Sequence, residues 1–480
     1  MRHLPLLALF PVLLGAPGWM HDGTSIVPDA RPPVAWAKAA WTSRMASWSN
    51  ASPIKVGARI CALSEPTTVF CVDEATGRTL WTQTNDWLDT LPAADRPGWE
   101  AMLAEAPTIE AELAVVQRRM SELRRLSRGG DAAAATELTA VSARLDALKD
   151  KLDALNVFRT PPNVDVLGYT SPTPYTDGRD LYVMTGNGVM SRFTGDGRRV
   201  WSVWLGPPVR PMAGWDVGSV TSPLLVDGVV IAGHRALHGL DAATGRTKWR
   251  DSEVWKHYGT PGIGTVAGVR IAALPDGRIL RVSDGKVLEK GLTEQLYTGP
   301  VVLGDRVLYI GTAAKSWSPS RYRAASFRLD GGPDALTAVK EYDLDLPIAD
   351  RVYTTALVHQ GLIYIVNRAE DLMVLDATTG ASVCTKRLTG GGPTTAYQSP
   401  TAAGPYVVVG AENGVFQVIQ PGRTCEVLGT NTLGEPARAT PAVRGRPGVR
   451  AQRQQAHGLR SVAAPPAEPR RRARCGPLSA

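Results

Sequence analysis

The sequence predicts an all-β fold: an eight-bladed β-propeller of four-stranded antiparallel blades, with an inserted α-helical hairpin. Two observations predict it. A phrase repeats, Asp73-Glu-Ala-Thr-Gly77-Arg-Thr-Leu-Trp81 returning as Asp241-Ala-Ala-Thr-Gly245-Arg-Thr-Lys-Trp249 and, more weakly, from Asp376 to Gly380. A Ser/Thr/Gly-Pro pair also opens an apolar run at Ser52-Pro53, Ser171-Pro172, Ser222-Pro223, Thr260-Pro261, Gly299-Pro300, Ser399-Pro400 and Thr440-Pro441, with Thr355-Ala356 as the variant. A Gly-punctuated period of roughly forty residues, rich in Val, Ile, Tyr and Leu, is the signature of stacked four-stranded blades.

Each part of the phrase has a physical reason. Asp bonds its own backbone two residues on, and Gly supplies the positive φ of a tight turn. Four residues after the Gly comes an apolar anchor: Trp81 after Gly77, Trp201 after Gly197 and Trp249 after Gly245. Glu289 and Cys384 stand at that place in two other units. Pro suits the first residue of a strand, where no ladder donor is needed. Eight such starts predict eight blades.

These phrases together resemble the pyrroloquinoline-quinone-like (PQQ-like) propeller repeat family. That family includes the quinoprotein dehydrogenases and the non-catalytic propeller of the bacterial outer-membrane assembly machinery. The resemblance covers residues 48–86 and 166–443 and speaks to fold far more than to activity. It implies two functions: a scaffold that binds a protein or peptide, or an oxidoreductase using PQQ and calcium on alcohols or sugars. Many of the alcohol dehydrogenases carry two adjacent cysteines beside the cofactor, and this chain has no Cys-Cys pair. No acidic cluster stands out at the funnel positions as a calcium donor set. The reading is therefore a non-catalytic scaffold rather than an enzyme, with the quinoprotein dehydrogenase as the alternative.

Along the chain, residues 1–18 read as a secretory signal, with Arg2 before the apolar run Leu4 to Leu14 and small residues after it. The expected address is the periplasm or the exterior. No later stretch reaches the ~20 apolar residues a spanning helix needs. Residues 32–86 read as the propeller start, 87–165 as the helical insertion, and 166–443 as blades two to eight, the eighth incomplete. In the insertion, Leu138, Val141, Leu145, Leu148, Leu152 and Leu155 keep a three-four alternation, the seam of a coiled coil. Ile109, Leu113, Val116, Met120 and Leu123 repeat the habit, and Gly129-Gly130-Asp131 between them offers a C-cap and then an N-cap. Such an arm either docks a partner or satisfies its seam internally.

The formal charge of +8 is local. Residues 444–480 hold nine Arg, no Lys and one acidic residue, Glu468, which accounts for all of it. The neutral body gives no basis for a nucleic-acid partner. The tail reads as a disordered basic extension, such as a frameshifted terminus would give, because it has no aromatic residue to help bury a core. The protein is expected to be a monomer.

Five cysteines occur. Cys61 and Cys71 flank one hairpin turn symmetrically, so they face each other either as a disulfide or as two small buried hydrophobes. No C-x-x-C spacing marks zinc or haem, and no metal site is expected. No catalytic residue can be assigned.

The candidate binding surface is the funnel rim. Three residues before the marker Pro stand Tyr169, Tyr258, Tyr297 and Tyr397, with Tyr353 equivalent before Ala356; Asn50, Val220 and Arg438 fill the other units. Five tyrosines would form an aromatic, hydroxyl-bearing mouth suited to a planar ligand or an extended peptide. The competing reading is packing between neighbouring blades. Trp215 and Asp216 would set a flat ring beside a carboxylate at the same end, the residue types a quinoprotein uses, or simply form a capped turn.

Overall fold

The structure is a computed structural model describing residues 25–36, 39–159, 168–207, 221–253, 255, 257–312, 322–347, 350–388, 394–443, 449–451 and 455–459. Residues 1–18, Trp215 and Asp216 lie outside the described residues, as does most of the tail.

Among the described residues, seven sheets with four antiparallel strands each follow one another along the chain, the seventh joined by a fifth, parallel strand, Ile26–Val27. Blade 1 comprises Ile54–Val56, Arg59–Ser64, Thr68–Asp73 and Thr79–Thr84. Blade 2 comprises Tyr175–Thr176, Asp180–Met184, Val189–Thr194 and Arg199–Trp204. Blades 3 to 7 begin at Leu224–Val226, Gly262–Val266, Val301–Leu303, Leu357–His359 and Thr401–Ala403. The first strands are largely buried and neighbour one another at the centre, whereas fourth strands such as Thr79–Thr84 and Ser382–Arg387 are exposed. The core lies between blades, as where Leu181, Val183 and Phe193 of blade 2 meet Ile54, Leu63 and Val69 of blade 1.

The expectation of eight blades is corrected to seven. After Thr440-Pro441 the described residues supply two strands, Val449–Ala451 and Gln455–Leu459, which form a three-stranded sheet with the N-terminal strand Ala39–Arg44. The marker pair does not by itself open a blade. The Ser52 N–H donates to Thr173 Oγ1, the Thr173 N–H to Ser222 Oγ, and the Ser222 N–H to Thr260 Oγ1. The belt resumes with Gly299 N–H to Thr355 Oγ1, Thr355 N–H to Ser399 Oγ and Ser399 N–H to Thr440 Oγ1. The hydroxyl is thus kept to satisfy the preceding unit's buried backbone donor. Thr440 completes that belt without a four-stranded sheet following it.

The belt also corrects a register. In blade 2 the belt residue is Thr173, before Pro174, rather than Ser171 before Pro172.

The anchors work between blades. Trp81 covers Gly197, Trp201 covers Gly245 and Trp249 covers Gly285; a Cβ on each glycine would meet the indole at 2.6, 2.7 and 2.7 Å. Each indole N–H donates to the neighbouring blade's backbone, at Gly195, Ala242 and Val282. Trp41, from the N-terminal strand, does the same on Gly77 and Glu74, and Tyr342 does so on Gly380 and Ala377. The turns are held as their sequence demands, with Asp73, Asp241 and Asp376 each accepting from the Thr three residues on.

Because each blade is antiparallel, the second-to-third connections and the links between blades share one face of the ring. The helical insertion is one of those links. It contains α1 (Arg96–Leu103), α2 (Ala106–Arg128) and α3 (Ala132–Asn156). Asp131 caps α3 by accepting from Ala133 and Ala134, and Gly130 has φ +94. Leu113, Val116 and Met120 pack against Leu145 and Leu148, flanked by Ile109, Leu138, Val141 and Leu152. At the base Trp87, Trp99, Phe158 and Trp204 form one ring cluster, with centroids 4.9 to 5.7 Å apart, that fixes the arm to blade 2. No helix among the described residues is long and apolar enough to cross a membrane.

Candidate binding face at the channel mouth

The inter-blade links place four of the named tyrosines in one continuous arc. Tyr258 and Tyr297 lie 5.7 Å apart by ring centroid, Tyr297 meets Tyr353 edge-to-face at 4.9 Å, and Tyr353 stacks on Tyr397 at 5.5 Å. Arg438 extends the arc, its guanidinium 5.6 Å from the Tyr397 ring and 5.9 Å from that of Trp48. Glu412 holds Arg438 in place, accepting from Nε at 2.6 Å. All four phenols are half-buried. Burial pushes those of Tyr258, Tyr297 and Tyr397 above the ordinary tyrosine range, so they remain hydroxyls and hydrogen-bond donors at neutral pH.

Tyr169 is not in this arc. It is 1% exposed and sits against Gly186, where an added Cβ would fall 2.8 Å from its ring. The register explains it: three residues before Pro174 is Ser171, so Tyr169 is displaced by two and turns into the blade. Above it the buried Glu65 carboxylate accepts from the Tyr169 and Thr170 N–H groups at 2.9 Å. Burial pushes Glu65 up to about 7 despite those bonds.

Two contributors went unread in the sequence, Trp48 and Arg351. Trp48 lies two residues before Asn50, and a scan of the whole link would have found it. Arg351 donates from Nη1 to the Tyr353 hydroxyl at 3.4 Å.

The channel wall carries a further element. Ile26–Val27 pairs in parallel with Thr401–Ala403, the innermost strand of blade 7, and so adds a fifth strand on the axial edge of that sheet. Ala402 N–H donates to Ser25 O and Gly404 N–H to Val27 O. The chain then runs beneath the blade to its outer strand, where Asn431 clasps Val34 and Trp36.

Two disulfides are present among the described residues. Cys61 is bonded to Cys71 across blade 1, and Cys384 of blade 6 to Cys425 of blade 7.

Comparison with known proteins fits this construction. Residues 34–254 match the family described as outer membrane protein assembly factor BamB. The chain carries PQQ-like propeller repeats. Among solved structures, a quinohemoprotein alcohol dehydrogenase from Comamonas testosteroni resembles this PQQ-like propeller at 12% identity, over 92% of this chain and 80% of that one, with a TM-score of 0.51. The computationally designed protein Ika8 matches at 10% identity over 90% of this chain and all of its own, with a TM-score of 0.53. BamB from Moraxella catarrhalis matches at 16% identity over 61% of this chain and 84% of its own, with a TM-score of 0.45. At such identities the solved structures speak to fold alone. No curated protein matches the chain significantly.

The alternative stated from the sequence is a calcium-held quinone. Among the described residues of this PQQ-like propeller, no three His, Cys, Asp or Glu side chains converge as metal donors. Nor are any described cysteines adjacent in sequence, since both disulfides join distant positions. Trp215 and Asp216, the residues named for such a site, lie outside the described residues.

Proposed function

We propose that this PQQ-like propeller is an exported, non-catalytic scaffold that engages an extended polypeptide at the mouth bearing the tyrosine arc. The observation that carries the reading is the arc itself: four rings in mutual contact, drawn from four successive inter-blade links. Tyrosine offers a large, rigid contact surface at low conformational cost, with a hydroxyl to meet a peptide backbone. Packing between blades alone would not require a hydroxyl-bearing ring at each place. The matching family's description as an outer-membrane protein assembly factor points the same way, towards a periplasmic protein that works by binding. The helical arm rises from the same face and would flank whatever docks there.

The test uses a reduced, carboxymethylated polypeptide as an extended probe, with binding read by anisotropy. Wild type should bind, and the Tyr297→Ala/Tyr353→Ala double variant should bind at least about tenfold more weakly with an unchanged melting transition. In parallel, PQQ is titrated calorimetrically with and without calcium. Tight calcium-dependent heat, with no probe binding, would transfer the protein to the quinone-dependent oxidoreductases and prompt a dye-reduction screen with alcohols and sugars.

A further inference from the structure

We propose that Arg351, with the hydroxyls of Tyr297, Tyr353 and Tyr322, forms a carboxylate-binding site in the middle of the arc, taking an acidic side chain of the docked polypeptide. This rests on the scaffold reading and names the chemistry that the rim selects.

The argument is a count of donors. Arg351 is half-buried between blades 5 and 6, and its one hydrogen-bonded side-chain contact among the described residues is the Tyr353 hydroxyl at 3.4 Å. Tyr297 meets Tyr353 edge-to-face at 4.9 Å, and the charge of Arg351 acts on the Tyr297 and Tyr322 phenols as well. The Tyr353 oxygen accepts from Arg351, leaving its own proton to donate outward. The Tyr322 hydroxyl is the telling member: its residue is 3% exposed, and its oxygen is buried with no hydrogen-bond partner among the described residues. A buried phenol normally finds a partner, because an unmade bond costs about 1–3 kcal/mol.

The nearest carboxylate cannot fill the role. Asp350 is engaged by Arg368 Nε, 3.0 Å from both of its oxygens, and by the Arg351 backbone N–H at 2.8 Å. Two arginines near it do have carboxylate partners, Arg368 with Asp350 and Arg438 with Glu412. Arg351 faces donors instead. A guanidinium without a carboxylate partner among the described residues, flanked by phenolic O–H groups, is complementary to a group that only accepts. A carboxylate is such a group. A neutral amide would bring its own N–H donors into the cluster. The flanking stacked rings, Tyr353 on Tyr397, favour a chain laid along the arc over a small free anion.

The test titrates the purified protein with two fluorescein-labelled decapeptides, one of alternating Glu and Gly and the other with Gln in place of Glu. The acidic peptide should bind at least about tenfold more tightly, as expected for a charge-assisted contact over a neutral one. Arg351→Gln should abolish the preference while leaving the Gln peptide's affinity unchanged, and Arg351→Lys should retain part of it. Arg235→Gln, a rim arginine away from this cluster, should leave the preference intact, which separates a site from general attraction. Melting curves check that each variant is folded. Equal affinity for both peptides in wild type, or equal loss of both in Arg351→Gln, overturns the carboxylate site and leaves the scaffold reading standing. Binding of neither peptide overturns both. Polygalacturonate binding through Arg351, with no preference between the peptides, would overturn the polypeptide as the carboxylate's source.

Discussion

Cys384, on the outer strand of blade 6, is bonded to Cys425 in the third-to-fourth strand connection of blade 7, the same step at which Trp81 covers Gly197 between blades 1 and 2. Cys384 occupies the place, four residues after the turn glycine, where other units carry Trp. The covalent bond therefore replaces an indole contact. Glu289 fills the corresponding place between blades 4 and 5, its Oε2 accepting from the Ala338 N–H at 2.9 Å. A lost Trp is thus not a lost joint; each substitute still reaches the next blade.

This predicts an order among cysteine variants. The Cys384–Cys425 bond closes 41 residues and Cys61–Cys71 closes 10. On the chain-entropy argument the first stabilises by about 4 kcal/mol and the second by about 3. Paired Ser substitutions, followed by urea unfolding, should show the Cys384/Cys425 variant as the weaker. The reverse order would mean that the inter-blade bond merely accompanies packing that already suffices.

Gly197 should tolerate a methyl group far less well than Gly228. Both have positive φ, +90 and +75, which costs an L-residue about 1–2 kcal/mol. A Cβ on Gly228 meets nothing within 4 Å, whereas on Gly197 it would enter the Trp81 ring at 2.6 Å. Gly197→Ala should therefore melt several degrees below Gly228→Ala. Equal melting temperatures would remove the indole contact from the account.

Trp41 closes the ring from the other end of the chain. Its indole covers Gly77 and donates to Glu74 O at 2.9 Å, so the N-terminal strand completes the run of anchors that begins at blade 1. Trp41→Ala should cost about 3 kcal/mol. It should also speed amide exchange in both Ala39–Arg44 and blade 1, while blades 4 and 5 exchange as before. Uniform acceleration across all blades would show that closure is not local.

The repeat phrase made the blades, turns and helical hairpin legible, because each follows from local chemistry: an Asx turn, a positive-φ Gly, an apolar alternation. What was not legible is where one unit's residue meets another's. The anchor was read beside its own glycine, yet it serves the next blade's, so Trp41 and Tyr342, which stand outside any copied phrase, could not be seen as members. The Ser/Thr-Pro pair was read as a blade start when its hydroxyl serves a belt, which inflated the blade count at Thr440. The arc was legible in four of its tyrosines. Tyr169 departed from it because two Pro stand two residues apart, Pro172 and Pro174, and only the hydrogen bond from Ser52 distinguishes them. Arg351 carried no repeat signal at all.

Glu65 should make stability fall as pH rises. Its carboxyl is 4% exposed and pushed up to about 7 from 4.5, so the folded state binds the proton more tightly than the unfolded chain does. Between those two values the native protein holds more protons, and unfolding free energy must decrease with pH by up to about 1.4 kcal/mol per pH unit, levelling off above 7. Glu370, likewise raised to about 7 by burial, contributes in the same direction. His234 opposes both: burial holds its ring down near 4, so its contribution increases stability from about 4 to 6.5. The Glu65 contribution is therefore read as a difference. Glu65→Gln cannot ionise but can still accept from Tyr169 through its amide oxygen, so its urea-unfolding profile should be flatter than wild type from pH 5 to 7 and diverge from it most at pH 8. Parallel profiles across that range would mean that the two backbone N–H groups hold Glu65 ionised throughout, and that burial is not the stronger influence at the joint between blades 1 and 2.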